Sequence, residues 1–180
     1  MIDDKDLITR VIANKDSHAF TQLVKKYQQN IRQFLRRITA GDWALADDLA
    51  QDTFLLAYQN LAAFRGEANF TTWLHRIAYN RFLKSRQKAY VSKETGEIDL
   101  NQFEYKSDVE KDVLVEQLMR GLEQNERICL TLSVSAGMSH QEIVNITDMP
   151  LGTVKSHINR GKQKMMEMVN QPSQLQQEVV

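Results

Sequence analysis

The 180-residue sequence contains only one cysteine, two prolines and seven glycines. The single cysteine, Cys129, cannot form an internal disulfide and offers no zinc-ligand spacing. The scarcity of proline and glycine excludes collagen-like and low-complexity architectures. No apolar run approaches the roughly 20 residues that a membrane-crossing helix needs, and the N-terminus is acidic where a secretory signal would be basic and then apolar. We therefore expect a cytoplasmic protein with no disulfide framework and no direct membrane insertion.

Acidic residues are missing from two stretches of a chain whose formal net charge is zero. The first stretch, Thr71–Lys88, has five lysines and arginines, and the second, Leu151–Met166, has four. Residues 1–90 hold 14 basic and 9 acidic residues, whereas residues 91–118 hold 3 basic and 8 acidic ones. Exposed helices usually mix the two signs. The acid-free stretches therefore favour binding to a polyanion over the alternative of two solvated helix faces.

Apolar residues recur with the helical period of 3.6 through most of the chain, and no segment alternates convincingly with period two. The clearest helix runs to Ile38 and is capped by Asp16 or Ser17. The N-terminal elements are predicted as helices at Asp4–Ala13, Ser17–Ile38, Trp43–Ala62 and Thr71–Ala89, with a loop at Phe64–Phe70. The fold class predicted is all-α, with two small helical domains.

The helical pattern fades in residues 91–112, where acidic residues dominate. We interpret this segment as an acidic linker between an N-terminal helical bundle, residues 1–90, and a second helical domain, residues 113–170. Residues 171–180 contain four glutamines and a proline, and we expect them to form a flexible tail.

A helix-turn-helix is predicted in the second domain. Its elements are a supporting helix at Asn125–Ala136, a short helix at His140–Ile146, a tight turn at Thr147–Pro150 and a longer helix from Leu151. Ser139 and Glu142 have the spacing of a capping box at the start of the short helix, and Pro150 disfavours helical backbone before it. This arrangement places its longer helix in the major groove of DNA.

The helix that begins at Leu151 has two different faces. We expect Val154, Ile158 and Met165 to be buried, with Gly161 permitting close packing. The opposite face carries Lys155, Ser156, Asn159, Arg160 and Gln163. Serine, asparagine and glutamine can read base edges, while lysine and arginine bind phosphate or guanine. A helical hairpin with a basic solvent face is the alternative, but the coincidence of capping box, turn and acid-free helix favours DNA binding.

Two blocks of the sequence carry short motifs at fixed spacing. The N-terminal block carries DDLAQDTF at Asp47–Phe54, FRG at Phe64–Gly66 and WLHRIAYN at Trp73–Asn80. The C-terminal block carries GMS at Gly137–Ser139, EI at Glu142–Ile143, PLGTVKS at Pro150–Ser156 and RGK at Arg160–Lys162. In these motifs, and in their order and spacing over about residues 17–88 and 113–166, the sequence resembles the extracytoplasmic-function (ECF) sigma factors, which are dissociable subunits of bacterial RNA polymerase.

The resemblance implies a role for each domain in transcription initiation. Residues 1–90 would dock on the clamp of the largest subunit of core RNA polymerase and recognise the −10 element of promoter DNA. The second domain would recognise the −35 element and contact the flap of the second-largest subunit. An anti-sigma factor would be a further partner, which could hold the protein at the inner membrane and away from the nucleoid.

The resemblance also assigns residues to these contacts. The clamp-binding residues would be Asp47, Asp48, Gln51, Asp52 and Phe54. The −10 contacts would come from Arg65, Gly66, Asn69, Arg76, Tyr79, Asn80, Arg81 and Lys84. The −35 contacts would come from Thr153, Lys155, Ser156, His157, Asn159, Arg160 and Lys162.

The acidic residues Asp47, Asp48 and Asp52 admit two other interpretations. Their spacing is vaguely similar to the aspartate motif of prenyl-chain enzymes, but the second such motif and the large apolar cavity that those enzymes need are not visible. Acidic residues near a helix N-terminus also interact favourably with the helix dipole. Docking on polymerase ranks ahead of both, and we expect no metal and no cofactor.

Other functions fit the sequence less well. A free-standing helix-turn-helix regulator needs a dimerisation or ligand domain, and residues 1–90 carry the clamp and −10 pattern instead. Four scattered histidines, one cysteine and no glycine-rich phosphate loop give no catalytic constellation, so we expect no enzymatic activity. A helical adaptor would lack salt-dependent binding to nucleic acid. Lys155-Ser156-His157 departs from the family's commoner form ending in arginine, which leaves the −35 preference open.

Overall fold

The structure is a computed structural model that describes residues 3–94, 115 and 117–170. It confirms the predicted all-α class, since the described residues form helices and connecting turns without any strand. The chain divides into two compact units, Met1–Glu104 and Tyr105–Val180. The predicted linker beyond residue 94 and the predicted tail at 171–180 lie outside the described residues.

The helices of the first unit are α1 (Asp4–Asn14), α2 (Ser17–Ile38), α3 (Trp43–Asn60) and α4 (Phe70–Glu94), with a 3₁₀ turn at Leu61–Ala63. Those of the second unit are a turn of helix at residues 117–120, α5 (Gln124–Leu130), α6 (His140–Thr147) and α7 (Leu151–Asn170). A π-helical turn at Thr131–Ser135 follows α5.

The first unit is organised around α2, whose apolar stripe packs against its neighbours. Leu23, Ile31, Leu35 and Ile38 repeat at helical spacing and are at most 1% exposed. The start of α2 is fixed as predicted, because the Asp16 carboxylate accepts a hydrogen bond from the backbone N–H of Ala19 at 3.0 Å. Helices α3 and α4 close the bundle, and α1 covers the α2 side.

In the second unit α5 and α7 pack closely because Gly161 has no side chain. A Cβ atom added at Gly161 would lie 3.4 Å from Leu130 and 3.5 Å from the backbone carbonyl of Glu126. Val154 and Ile158 of α7 are buried as predicted, and Ile143 and Ile146 of α6 join them in the core. Met165 is only half-buried.

Two helix ends differ from the prediction by more than two residues. Helix α4 continues to Glu94, because residues 91–94 contain neither proline nor glycine and the helix meets no breaker there. Helix α5 ends at Leu130 rather than Ala136, and the chain then widens into the π-helical turn. In that turn the N–H of Ala136 reaches the carbonyl of Thr131 at 3.1 Å. Gly137 then reverses the chain with a φ of 65°.

His75 is a buried titratable residue in the core of the first unit. It is 1% exposed, its ring contacts Phe34 edge-on at 5.1 Å, and its Nδ1 lies 2.8 Å from the carbonyl of Thr71. No hydrogen-bond partner meets its Nε2. Burial lowers the pKa of His75 below its ordinary 6.5, although the hydrogen bond to Thr71 partly opposes this shift. The imidazole is therefore held neutral, with its proton on Nδ1.

We predict that His75 makes the first unit acid-sensitive. Above about pH 6.5 the ring is neutral in both states, and its contribution to stability is complete. As the pH falls from 6.5 towards the lower folded pKa, the unfolded chain takes up the proton first, so the free energy of unfolding decreases. Trp43 and Trp73 both lie in this unit, so tryptophan fluorescence during urea unfolding reports it selectively. His75→Leu should remove this part of the pH dependence, and an unchanged pH profile would contradict the assignment.

Candidate nucleic-acid interface

The helix-turn-helix of the second unit is fixed by local hydrogen bonds. The N–H of Glu142 donates to Ser139 Oγ at 3.3 Å, and the N–H of Ser139 donates to Glu142 Oε2 at 3.0 Å, which completes the predicted capping box. Asp148 ends α6 in the left-handed conformation, with a φ of 56°. Helix α7 then begins one residue after Pro150. These contacts set α6 and α7 in the orientation of a helix-turn-helix.

The exposed face of α7 carries most of the predicted −35 residues. Lys155, Ser156, Asn159, Arg160 and Lys162 are exposed, and Thr153 is half-buried. His157 differs from the prediction, because it lies on the packed side of the helix and is 8% exposed. Its Nδ1 lies 3.1 Å from Arg160 Nη2. His157 therefore contacts Arg160 from the packed side of α7 and does not itself face the surface.

A buried carboxylate lies beneath α7. Glu126 of α5 is 1% exposed, and Lys164 Nζ donates to its two oxygens at 3.0 and 2.8 Å. Arg160 Nε lies 3.9 Å from the same group. Burial would raise the pKa of Glu126, but the hydrogen bonds from Lys164 and from the backbone N–H of Glu123, together with the charges of Lys164 and Arg160, bring that pKa below its usual value.

A second basic surface lies on α4 in the first unit. Arg76, Asn80 and Lys84 are exposed along it, whereas Arg81 is half-buried and pairs with Asp52 of α3. Tyr79 differs from the prediction: it is 5% exposed and belongs to the core of the bundle. Its ring is therefore not available for stacking on a base.

Three aromatic rings pack together at the base of the loop between α3 and α4. Phe64 contacts Phe70 at 5.4 Å and Trp73 at 5.3 Å, and the rings of Phe70 and Trp73 stack at 5.6 Å. Gly66 has a φ of 73°, a backbone conformation that residues other than glycine rarely adopt, and the space around it is open. Arg65, Gly66 and Asn69 are all exposed. The loop tip is therefore held at its base by aromatic packing and presents polar groups to solvent.

The five residues of α3 that the resemblance assigns to clamp binding fall into two groups. Asp48 and Gln51 are exposed, and Phe54 is half-buried. Asp47 lies 3.6 Å from Arg36 and 3.8 Å from Arg32 of α2. Asp52 pairs with Arg81 of α4. Asp48 and Gln51 are thus directed away from the basic residues of the bundle, whereas Asp47 and Asp52 lie close to them.

Two exposed apolar residues, Leu55 and Tyr58, form a stripe on α3 together with Asp48 and Gln51. Their exposure was not predicted from the sequence. Leu55 is 56% exposed and Tyr58 is 40% exposed. Together with Asp48 and Gln51 they follow spacings of three and four residues along α3, so the four side chains share one face of the helix. The helical spacing could have indicated that these four residues share a face. The spacing alone, however, does not show which apolar residues of a bundle helix point outwards.

Burial raises the pKa of Cys129 to about 11, and its thiol lies 3.9 Å from the sulfur of Met149. No group of three or more histidine, cysteine, aspartate or glutamate side chains is placed to hold a metal ion within residues 3–94 and 117–170. None of the helices in the same part of the chain is both long and apolar enough to span a membrane.

Two solved structures share the fold of this chain. A sigma factor RpoE from Bartonella quintana, in complex with the anti-sigma factor NepR, superimposes with a TM-score of 0.72 over 84% of this chain and 96% of that one, at 20% identity. CnrH, in complex with the cytosolic domain of CnrY, superimposes with a TM-score of 0.68 over 93% and 97%, at 22% identity.

Sequence comparison is more specific than the fold. Residues 23–90 match the family model of sigma-70 region 2, and residues 112–165 match that of sigma-70 region 4. The ECF RNA polymerase sigma-E factor of Escherichia coli K12 is 32% identical over 90% of this chain and 92% of its own length. The RNA polymerase sigma-H factor of Pseudomonas aeruginosa is 33% identical over 89% and 90%. The chain therefore belongs to the extracytoplasmic-function family of RNA polymerase sigma factors.

Proposed function

We propose that this sigma factor binds core RNA polymerase and directs it to promoters through separate −10 and −35 contacts. The observation that carries the proposal is the exposed face of α7 over Leu151–Met166, where base-reading and phosphate-binding side chains occur together without a carboxylate among them. A helix-turn-helix with such a face is suited to the major groove.

The −35 contacts would be divided between two kinds of residue. Ser156 and Asn159 can donate to and accept from base edges, whereas Lys155 and Lys162 can bind phosphates or guanine. Arg160 would reach a base or a phosphate from the edge of the same face. Thr153 lies in the first turn of α7, where residues of a recognition helix approach the bases.

The −10 contacts would come from the first unit. The loop tip with Arg65, Gly66 and Asn69 could close around a base that leaves the stack, since Gly66 leaves space for it. Asn80 could hydrogen-bond to a base edge, and Arg76 and Lys84 would bind the backbone phosphates. The aromatic cluster beneath the loop would serve as its rigid base.

Polymerase binding would use the exposed stripe of α3. Asp48 and Gln51 would meet basic and polar groups of the clamp, and Leu55 and Tyr58 would supply the apolar contact that a stable interface needs at its centre. Asp47, Asp52 and Phe54 would flank this surface, with the two aspartates paired to arginines of α2 and α4. The second unit would contact the flap of the second-largest subunit.

The proposal extends to an anti-sigma factor and to the place of action. Of the two solved structures described above, one is a complex of a sigma factor with an anti-sigma factor, and the other is a complex of CnrH with the cytosolic domain of CnrY. By analogy, an inhibitor would restrain this protein, at the inner membrane if the inhibitor is itself anchored there. The free sigma factor would act in the cytoplasm, on the nucleoid.

The proposal predicts that the purified chain co-elutes with bacterial core RNA polymerase that lacks other sigma factors. The loaded enzyme should then initiate at discrete new start sites in run-off transcription on genomic fragments, and those sites define the −10 and −35 elements. Absence of co-elution, together with tight binding to duplex DNA by the chain alone, would instead favour a free-standing regulator.

A second prediction concerns the stripe of α3. The double variant Asp48→Ala with Gln51→Ala removes two exposed polar groups, and we expect it to weaken binding to core polymerase about tenfold or more, as when two interface contacts are lost. The control double variant Asp6→Ala with Gln29→Ala removes the same residue types from exposed positions on α1 and α2. Fluorescence titration of core polymerase would compare the two. Equal affinities would refute docking through this stripe.

A third prediction concerns Lys155. Its replacement by alanine should lower run-off transcription from promoters that depend on the −35 element about tenfold, if the lysine binds a guanine. If the lysine binds a phosphate instead, the variant should bind all DNA sequences more weakly to the same extent. The slope of log affinity against log salt should then decrease by the equivalent of about one phosphate contact. Lys5→Ala, at an exposed position of α1, is the matched control. Unaltered transcription and salt dependence would remove Lys155 from the interface.

A further inference from the structure

The four cations of the acid-free stretch of α7 do not have equivalent surroundings. Lys164 and Arg160 both face the carboxylate of Glu126, at 2.8 and 3.9 Å. Lys155 and Lys162 are exposed, and no carboxylate of the described residues lies within ion-pair distance of either. The helix therefore presents two cations directly, while two others are engaged by α5.

Arg160 is held at a second point. Its Nη2 lies 3.1 Å from His157 Nδ1, and since guanidinium groups only donate, the histidine nitrogen accepts. Its side chain nevertheless remains 53% exposed, at the border between the packed and the exposed sides of α7. The guanidinium is thus restrained at Nη2 by His157 and faces Glu126 through Nε, while about half of the side chain remains exposed.

The burial of Glu126 gives this restraint its strength. The carboxylate is 1% exposed and accepts further from the backbone N–H of Glu123 at 3.2 Å, so it cannot turn away to solvent. An ionised group in such surroundings requires a cation, because an unpaired buried charge is costly. Lys164 and Arg160 are the cations within reach.

We propose that Glu126 is a positioning residue for DNA recognition, which tethers Lys164 and Arg160 and so limits sequence-independent binding to phosphates. The inference rests on the proposed function, since it assumes that α7 faces DNA. An unrestrained lysine or arginine would reach any nearby phosphate, and each such contact strengthens binding to all sequences alike. A restrained Arg160 instead meets DNA in one orientation, and only a matching base edge uses its donors well.

The test compares the full-length chain with its Glu126→Gln variant on two duplexes, one with the −35 element defined by run-off transcription and one with that element scrambled. Glutamine keeps the shape of the side chain and an oxygen for the Glu123 N–H, but removes the charge. We expect affinity for the scrambled duplex to rise about two- to tenfold. The slope of log affinity against log salt should steepen by about one phosphate contact, and the preference for the intact element should decrease.

Glu123→Gln is the matched control. It removes the same formal charge from a position one turn away, where Glu123 is 70% exposed and 3.9 Å from Lys164. If both variants change the slope equally, net charge alone explains the effect and the tether is refuted. The inference also fails if Glu126→Gln leaves slope and preference unchanged, or lowers affinity for both duplexes. If the wild-type chain alone binds neither duplex at about 50 mM salt, the same comparison is made with core RNA polymerase loaded with each variant, and a loaded enzyme that binds neither duplex would contradict the proposed function itself.

His157 provides an independent pair of variants should Glu126→Gln fail to fold. Asparagine places an acceptor close to the position of the histidine Nδ1, whereas phenylalanine fills the space without an acceptor. We expect His157→Phe to lose more sequence preference than His157→Asn, with circular dichroism confirming that both are folded. Equal losses in the two variants would exclude a restraint on Arg160 from this side.

Discussion

Both units meet the same constraint, and both satisfy it with an ion pair between a carboxylate on one helix and a cation on another. A helix that presents cations to solvent must also pack against neighbours, and long basic side chains at its edges then lie close to other helices. In the first unit Asp52 of α3 receives Arg81 of α4. In the second unit Glu126 of α5 receives Lys164 of α7. Each pair joins a basic helix to the helix that supports it.

These pairs differ in depth, and depth decides their physical role. The Asp52 side chain is 44% exposed, so solvent screens its pair and the net contribution to stability is small. Glu126 is buried, so breaking its pair would leave a charge without solvation. Removing the cationic partner of Glu126 would consequently destabilise the protein more than removing the partner of Asp52.

Features that depend on neighbouring residues in the chain were predictable from the sequence, and features that depend on packing were not. Asp16 and Ser139 cap their helices as predicted, because a cap is a contact over three residues. His157 and Tyr79 were assigned to DNA, yet both are buried. Each lies on a basic helix, and only the position of the neighbouring helices shows which of its faces is covered. The exposure of Leu55 was missed for the same reason.

The positions of the acidic residues explain how a chain of zero net charge can carry surfaces suited to a polyanion. A carboxylate offsets chiefly the charge of the cation with which it pairs, because solvent and salt screen its effect on more distant exposed cations. Glu126 lies beneath α7 rather than on its exposed face, and Asp47 lies between α2 and α3, where it meets Arg36. The exposed faces of α7 and α4 therefore remain positive locally, whatever the total charge. For this chain, the relevant quantity is where each charge lies and which charges are paired, and the net sum carries no information about its partners.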